Sequence, residues 1–431
     1  MQSIFSIPQL NRDGKLVFAA SVVRAFDYSF LGVFLGVYFA LLGFTVFQAG
    51  IVFSAIMAGG ALSNVVAVWK GDTIGRRRML VVMSVLMVIG GALFPFASSV
   101  APLVIISLFA MTTSTGGDRT AFVSLDTAIL AQMCDASQRT LVFSWYNLVG
   151  FATKALGALL IAVPALLQSW FGMEELLSFK AMFGLYAAVA AGGILLYAAL
   201  SPDVEPVPQE PKAEALGSRL KDSQGVILRM AGLFSLDAFG GGFMVRSFIS
   251  FWFVSRFGVG VETLALIFFV GQLANAVSVM LATPVASRIG LINTMASTQV
   301  LSNLFMIALA LSGNLWLAVT FFLLKELSND MDVPTRQSYT MAIVPPEAMT
   351  RMASVTNLGR NISQTISPGI AGLVAQATFL GAPILIGSAI KLVYNAALYF
   401  QFRSVKTPEE QSATLVEPMQ GEGLATSEES S

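Results

Sequence analysis

Charged residues that fall inside long apolar segments are the groups in this sequence best suited to chemistry. Insertion of a charged side chain at the centre of a membrane helix costs about 2.5–3.5 kcal/mol, so such groups pair with one another or mark the path of a solute or ion. Seven are acidic and eight are basic: Asp27, Asp118, Asp126, Asp237, Glu326, Asp330, Asp332, Arg24, Arg119, Lys154, Arg246, Lys325, Arg336, Arg360 and Lys391.

The spacing of these groups indicates which of them share a surface. Arg24 and Asp27 are three residues apart, and Glu326 and Asp330 are four apart, so each pair lies on one face of a helix. We expect the following residues to border a cavity that binds a substrate or conducts protons: Arg24, Asp27, Asp118, Arg119, Asp237, Arg246, Glu326 and Asp330.

Two roles remain open for each of these residues, because a paired charge can also serve only to hold helices together. The chain contains no histidine, so a proton relay would have to use aspartate or glutamate. Desolvation favours the protonated form of a carboxyl group. Asp27 and Asp118 are therefore the first candidates for protonation, whereas Lys154 and Lys391 are predicted to be structural or to extend towards the membrane surface.

The elements that position these groups are predicted to be membrane-spanning helices. Hydrophobic residues make up 55% of the 431 residues and charged residues 12%, against about 25% charged residues in a soluble domain. The apolar runs reach roughly the 20 residues that a helix needs to cross a bilayer. The sequence predicts an all-α protein with twelve spans, at 16–41, 47–69, 79–98, 102–131, 140–168, 181–200, 226–256, 263–286, 292–312, 315–343, 352–378 and 382–402.

The distribution of lysine and arginine predicts the orientation of the chain. Fifteen of the 25 basic residues fall in segments assigned to the cytoplasm and two fall in outside loops. Positive charge marks the cytoplasmic side, so both termini of this multi-pass protein of the inner (plasma) membrane are expected there. The predicted divisions are a six-helix bundle at 1–200, a cytoplasmic linker at 201–225, a second six-helix bundle at 226–403 and a disordered acidic tail at 404–431.

The two halves of the chain repeat a pattern. Asp118 and Arg139 lie 21 residues apart, and so do Asp330 and Arg351, at an offset of 212 residues. This repetition predicts a duplicated six-helix unit. Two such repeats with a binding site between them are typical of secondary transporters.

A basic segment, Gly71–Arg78, separates spans 2 and 3 and carries a family signature. Asp72 and Gly75 to Arg78 match the pattern Gly-x-x-x-Asp-Arg/Lys-x-Gly-Arg-Arg/Lys-Arg/Lys, whereas Val68 and Thr73 depart from it. With the twelve spans, the repeat and the central linker, the chain resembles the major facilitator superfamily over about residues 15–403. The resemblance implies alternating access, with spans 1, 4, 7 and 10 lining a central cavity.

A cytoplasmic gate is predicted around this segment. We expect Arg76 to contact Asp126 near the inner end of span 4, and Asp72 to contact the start of span 11 near Arg351 to Ser354. The predicted gate residues are Asp72, Gly75, Arg76 and Asp126. Arg77 and Arg78 are interpreted as markers of the cytoplasmic side.

The predicted function is proton-coupled secondary transport of a small organic solute by a monomer in the lipid bilayer. The sequence has no G-x-x-x-x-G-K-[ST] motif for nucleotide binding and no recognisable nucleophile–base set for an enzyme. No cofactor, metal site or nucleic-acid partner is expected. The alternative is a receptor or assembly partner on a transporter scaffold. The direction of transport, uptake or efflux, remains open. The charge of the solute also remains open, because the predicted cavity arginines favour an anionic or zwitterionic solute and the predicted cavity carboxylates allow a cation.

Overall fold

The computed structural model describes residues 10–118, 120–134, 139–205, 219–332, 336 and 346–402. Regular structure in these ranges is helical. The α-helices are α1 (Arg12–Leu41), α2 (Val46–Ile74), α3 (Arg76–Leu93), α4 (Val100–Phe109), α5 (Ala121–Met133), α6 (Arg139–Leu159), α7 (Val163–Phe171), α8 (Glu175–Ala198), α9 (Arg219–Gly242), α10 (Arg246–Phe257), α11 (Val261–Ile289), α12 (Leu291–Leu311), α13 (Leu315–Asn329), α14 (Pro346–Ala377) and α15 (Ala382–Phe402).

Nine of the predicted spans are confirmed, by length and composition, as described helices able to cross a membrane. The predicted spans 4, 10 and 11 do not meet this measure within the described residues. Span 4 is split into two short helices, and α13 has only 15 residues before the chain reaches ranges that are not described. The length of α14 is sufficient, but polar and charged residues interrupt its apolar sequence.

The predicted continuous helix at 102–131 is wrong. α4 ends at Phe109, and an irregular segment leads to α5, with positive φ at Met111 (49°) and Gly116 (69°). Inside a membrane such a segment needs internal hydrogen bonds for its backbone. Thr113 supplies one, because its hydroxyl donates to the Gly117 carbonyl at 2.8 Å. Asp118 therefore lies in a break between helices and not on a helical face.

Span 7 is also discontinuous. α9 ends at Gly242 and α10 begins at Arg246, so Arg246 starts a new helix. α9 already begins at Arg219, inside the predicted linker 201–225, so part of that linker is helical. Residues 206–218 and the predicted tail at 404–431 lie outside the described residues.

The basic segment between α2 and α3 is shorter than its sequence indicated. α2 continues to Ile74 and α3 begins at Arg76, so Gly75 alone joins the two helices, with φ at +92°. Gly290 joins α11 to α12 in the same way, with φ at +85°. Glycine adopts positive φ without a steric penalty. The two halves thus share one conformation at positions 215 residues apart.

Backbone contacts close the bundle at the end that holds the α1–α2 connection. The Ser247 hydroxyl of α10 donates to the Gly32 carbonyl of α1 at 2.6 Å. A Cβ atom on Gly36 would lie 2.1 Å from the Ser247 carbonyl oxygen, so only glycine permits this approach. At the same end the Ser54 hydroxyl on α2 accepts from the Gly369 amide of α14 at 2.8 Å. We call these contacts the seal.

Alanine at Gly36 tests the seal, because the added methyl group has no space between α1 and α10. Overpacking of this kind costs about 1–3 kcal/mol, so Gly36→Ala is expected to lower the melting temperature of the purified protein in detergent. The control is Gly192→Ala on α8, where a Cβ atom would meet nothing within 4 Å. Alanine is the better helix former, so the control is expected to be neutral or stabilising. Equal melting temperatures for both variants would contradict the described packing.

Candidate functional site

A charged cavity of about 400 Å³ lies between the first-half helices α1–α8 and the second-half helices α9–α15. This volume suits a small organic molecule. The lining includes six basic and five acidic side chains: Lys154, Arg246, Lys325, Arg336, Arg360, Lys391, Asp118, Asp237, Glu326, Asp330 and Asp332. Most of them belong to the second half of the chain.

Five of the eight predicted pathway residues line this cavity: Asp118, Asp237, Arg246, Glu326 and Asp330. Arg24 and Asp27, which were expected there, are buried within the first-half helices and are not part of the lining. Their face of α1 packs against neighbouring helices. Arg119 lies outside the described residues.

Arg24 is the centre of a buried ionic network in the first half. Its Nε donates to Asp118 at 2.5 Å and its Nη2 donates to Asp126 at 2.6 Å. A further donor, Nη1, contacts the Tyr197 hydroxyl of α8, and the guanidinium lies 4.6 Å from the centre of the Phe122 ring. A single side chain of α1 thus connects the break in span 4 with α5 and α8.

The predicted contact between Arg76 and Asp126 is wrong. Asp126 is fully buried and is paired with Arg24 and the Tyr197 hydroxyl. Arg76 instead donates to the Gln132 side chain at 2.8 Å. Gln132 lies six residues further along α5, which is about 9 Å nearer the end of the helix. The sequence identified the correct helix but placed the contact almost two turns too deep.

Glu205 contacts the basic segment Gly71–Arg78 where α2 meets α3, and the sequence did not predict this contact. Its carboxylate accepts from the Arg76 amide at 2.6 Å and from the Arg77 amide at 3.3 Å. Amides in the first turn of a helix have no acceptor within the helix, and negative charge is favoured there. Glu205 supplies the acceptor for these two amides of α3. The sequence shows both Glu205, after span 6, and the basic segment. Nothing in the sequence indicates that the two are in contact. The side-chain contacts of Asp72, and so its predicted gate contact, lie outside the described part.

Asp237 holds an ionic cluster on the cavity wall. Its carboxylate lies 3.4 Å from Arg336, 3.3 Å from Arg360 and 3.4 Å from Lys391. Arg336 also pairs with Asp332 at 3.0 Å. Lys391 was predicted to be structural or to extend to the membrane surface, but it lines the cavity, because α15 packs against α9 and directs the lysine towards Asp237.

Arg246 and Glu326 lie on other parts of the cavity wall. Arg246 donates to the Gln272 side chain at 2.9 Å and lies 5.9 Å from the centre of the Phe268 ring. Glu326 pairs with Lys325 at 3.0 Å and accepts from the Asn275 amide at 3.2 Å. Both oxygens of Glu326 are therefore occupied.

The neutral polar residues of the cavity wall were not among the predicted pathway residues. Those on α11, α12 and α13 are Gln272, Asn275, Gln299, Ser302, Asn303 and Asn329. A signal existed, because positions 299, 302 and 303 have the i, i+3, i+4 spacing of one helical face within an apolar span.

Asp27 differs from the other buried carboxyl groups. Its side chain is fully buried, and among the described residues neither of its oxygens has a hydrogen-bond partner. Arg24, one helical turn away on α1, is directed to Asp118 and Asp126. The proximity of Arg24 and Asp27 in the sequence therefore does not produce a pair.

Comparison with known proteins gives a consistent result. A family model described as Major Facilitator Superfamily matches residues 17–368. An uncharacterized membrane protein of Saccharomyces cerevisiae, YJR124C, is 24% identical over 425 residues, covering 92% of this chain and 95% of the yeast protein. The crystal structure of the nucleoside transporter NupG superposes with a TM-score of 0.71 at 14% identity, covering 91% of this chain and 99% of that one. A POT family transporter in complex with a thioalcohol-conjugated peptide gives a TM-score of 0.70 at 16% identity, with coverages of 94% and 100%. At these identities the solved structures establish the fold alone.

The Arg24 network yields a stability prediction. Arg24→Gln leaves Asp118 and Asp126 without their cation, and breaking a buried pair in this way costs about 3–5 kcal/mol. We expect a marked fall in the melting temperature in detergent and partial recovery in the double variant Arg24→Gln/Asp126→Asn. The control is Arg256→Gln, which removes an exposed arginine at the end of α10. A melting temperature like that of the unchanged protein would show that Arg24 does not hold these helices together.

Proposed function

This chain belongs to the Major Facilitator Superfamily, and we propose that it carries a small polar organic solute across a membrane by alternating access. Membership of this family makes it a membrane transporter and not an enzyme. The observation that carries the proposal is the charged cavity of about 400 Å³ between the two halves, next to a set of contacts that closes one end of the bundle. Paired charges let such a cavity hold water and solute within a bilayer.

We further propose that the chain crosses the membrane twelve times as two related six-helix bundles, residues 1–200 and 226–403. In this arrangement three spans are interrupted and consist of two helices each: α4 with α5, α6 with α7, and α9 with α10. The matching conformations of Gly75 and Gly290 support the duplication. The basic segment and the excess of lysine and arginine on the same side support cytoplasmic termini and a plasma-membrane orientation.

With that orientation, the seal lies at the outer face and the cavity lies on its cytoplasmic side. Ser247 belongs to the seal, and Arg246, immediately before it, lines the cavity. The structure then corresponds to the inward-facing state of the transport cycle. In the opposite state the seal would separate and the Arg76–Gln132–Glu205 contacts would change.

Proton coupling is proposed to use Asp27. A buried carboxylate without a partner is unfavourable by several kcal/mol, so this group is expected to carry a proton in the described state. Asp118, the other candidate from the sequence, already has partners, because it pairs with Arg24 and accepts from the Thr120 amide at 2.9 Å. We therefore assign proton coupling to Asp27, whose surroundings change when the helices around it move.

Asp27→Asn is expected to separate proton movement from solute exchange. Proteoliposomes that contain a trapped pH-sensitive dye report proton movement when a mixture of labelled metabolites is added under a pH gradient. In the variant, solute accumulation driven by the gradient should be lost, whereas exchange of labelled for unlabelled solute persists. Glu175→Gln, at the exposed start of α8, is the control. Gradient-driven accumulation that survives Asp27→Asn would exclude Asp27 as the coupling group, and binding without any flux in the unchanged protein would favour a receptor.

A further inference from the structure

We infer that the solute held in the cavity is an organic anion that also carries a hydrogen-bond donor: its carboxylate or phosphate binds Arg246, and its N–H or O–H group binds Gln299. This inference rests on the proposed transport function and specifies its substrate class. Two independent features of the cavity wall support it, one on α10 and one on α12.

Arg246 differs from the other cavity cations of the second half. Lys325, Arg336, Arg360 and Lys391 each have a carboxylate within 4.0 Å. Arg246 has none among the described residues, and its guanidinium donates a hydrogen bond to the neutral side chain of Gln272. A guanidinium carries five N–H donors, so most of its capacity is available to a ligand.

The surroundings of Arg246 orient it for this purpose. Its guanidinium lies beside Gly116 in the break of span 4, where a Cβ atom would come within 3.0 Å of Nη1. The centre of the Phe268 ring lies 5.9 Å from Cζ of Arg246. Held by Gln272, Phe268 and the glycine backbone, the planar guanidinium can present two parallel N–H groups to a carboxylate or phosphate. An unpaired cation in a region of low dielectric favours an anion there.

Gln299 supplies the second feature. Only 4% of this residue is exposed, and its Nε2 donates to the Asn329 carbonyl at 2.9 Å. That bond fixes the orientation of the amide, so Oε1 is the remaining acceptor, and it has no donor among the described residues. A buried acceptor without a donor costs about 1–3 kcal/mol. Because Gln299 lines the same cavity as Arg246, a ligand with an N–H or O–H group can satisfy it.

Matched compounds separate the two contacts. An aromatic set consists of 4-hydroxyphenylpropionate (anion and donor), 3-phenylpropionate (anion only) and 4-ethylphenol (donor only). A six-carbon set consists of gluconate, hexanoate and sorbitol, and glucose 6-phosphate tests phosphate against carboxylate. The purified full chain is titrated with each compound, and the shift in its melting temperature gives an apparent affinity, because a ligand of the folded state stabilises it. We expect the compounds with both groups to bind most tightly in at least one set.

Variants assign the two contacts. Arg246→Gln is expected to weaken binding of every anion by tenfold or more, and Arg246→Lys to weaken it less, because lysine keeps the charge but loses the fork of donors. Arg256→Gln, at the exposed end of the same helix, should leave binding unchanged. Gln299→Met should remove the advantage of 4-hydroxyphenylpropionate over 3-phenylpropionate and leave the affinity for 3-phenylpropionate unaltered. The melting temperature without ligand shows whether each variant is folded.

The outcomes distinguish this inference from the proposed function. The inference is overturned if no anion of either set stabilises the unchanged protein, or if folded Arg246→Gln and Arg246→Lys bind anions as the unchanged protein does. Flux of sorbitol that depends on the protein in proteoliposomes, without binding of any acid, would retain transport and reject the anion. Tight binding of acids without flux of any compound would retain the site and reject transport.

Discussion

Charge in a bilayer must be neutralised inside the protein, and the arrangement of this chain follows from how its charges meet that requirement. In the first half, one arginine of α1 neutralises two aspartates, one at each side of the start of α5. In the second half, Asp237 of α9 draws Arg336, Arg360 and Lys391 towards one point. In the first network Arg24 and Asp126 are buried, and Asp118 borders the cavity. This network connects helices of the first half. The second faces the cavity, so its partners remain within reach of water and solute.

The helix breaks follow from the same physics. An interrupted helix leaves backbone groups that need partners, and within a membrane these partners must come from the protein itself. The break in span 4 places Asp118 where Arg24 can reach it, and the break in span 7 places Arg246 at the start of α10. Arg246 lines the cavity and the adjacent Ser247 belongs to the seal. A ligand bound to Arg246 would therefore lie next to a contact that opens in the proposed transport cycle.

Much of the fold could be predicted, because the length of an apolar run and the sign of its flanking charges act locally. Span 4 shows the limit: its composition is apolar enough for one helix, but Gly116 adopts positive φ and close packing against α1 and Arg246 selects the break. The candidate site was predicted only in part for a related reason. Sequence spacing tells which side chains share a face of a helix, but it does not tell which neighbouring helix that face meets.

The sequence by itself determined the membrane setting, the helical class, the family and the set of charges that must be accommodated within the bilayer. Only the tertiary structure decided how those charges are divided. It paired Arg24 with residues about a hundred positions away. Within the described ranges it left Asp27 without a hydrogen-bond partner, and it left Arg246 on the cavity wall without a carboxylate in ion-pair distance. Pairing depends on distances of a few ångströms between helices far apart in the chain, and local sequence cannot encode these.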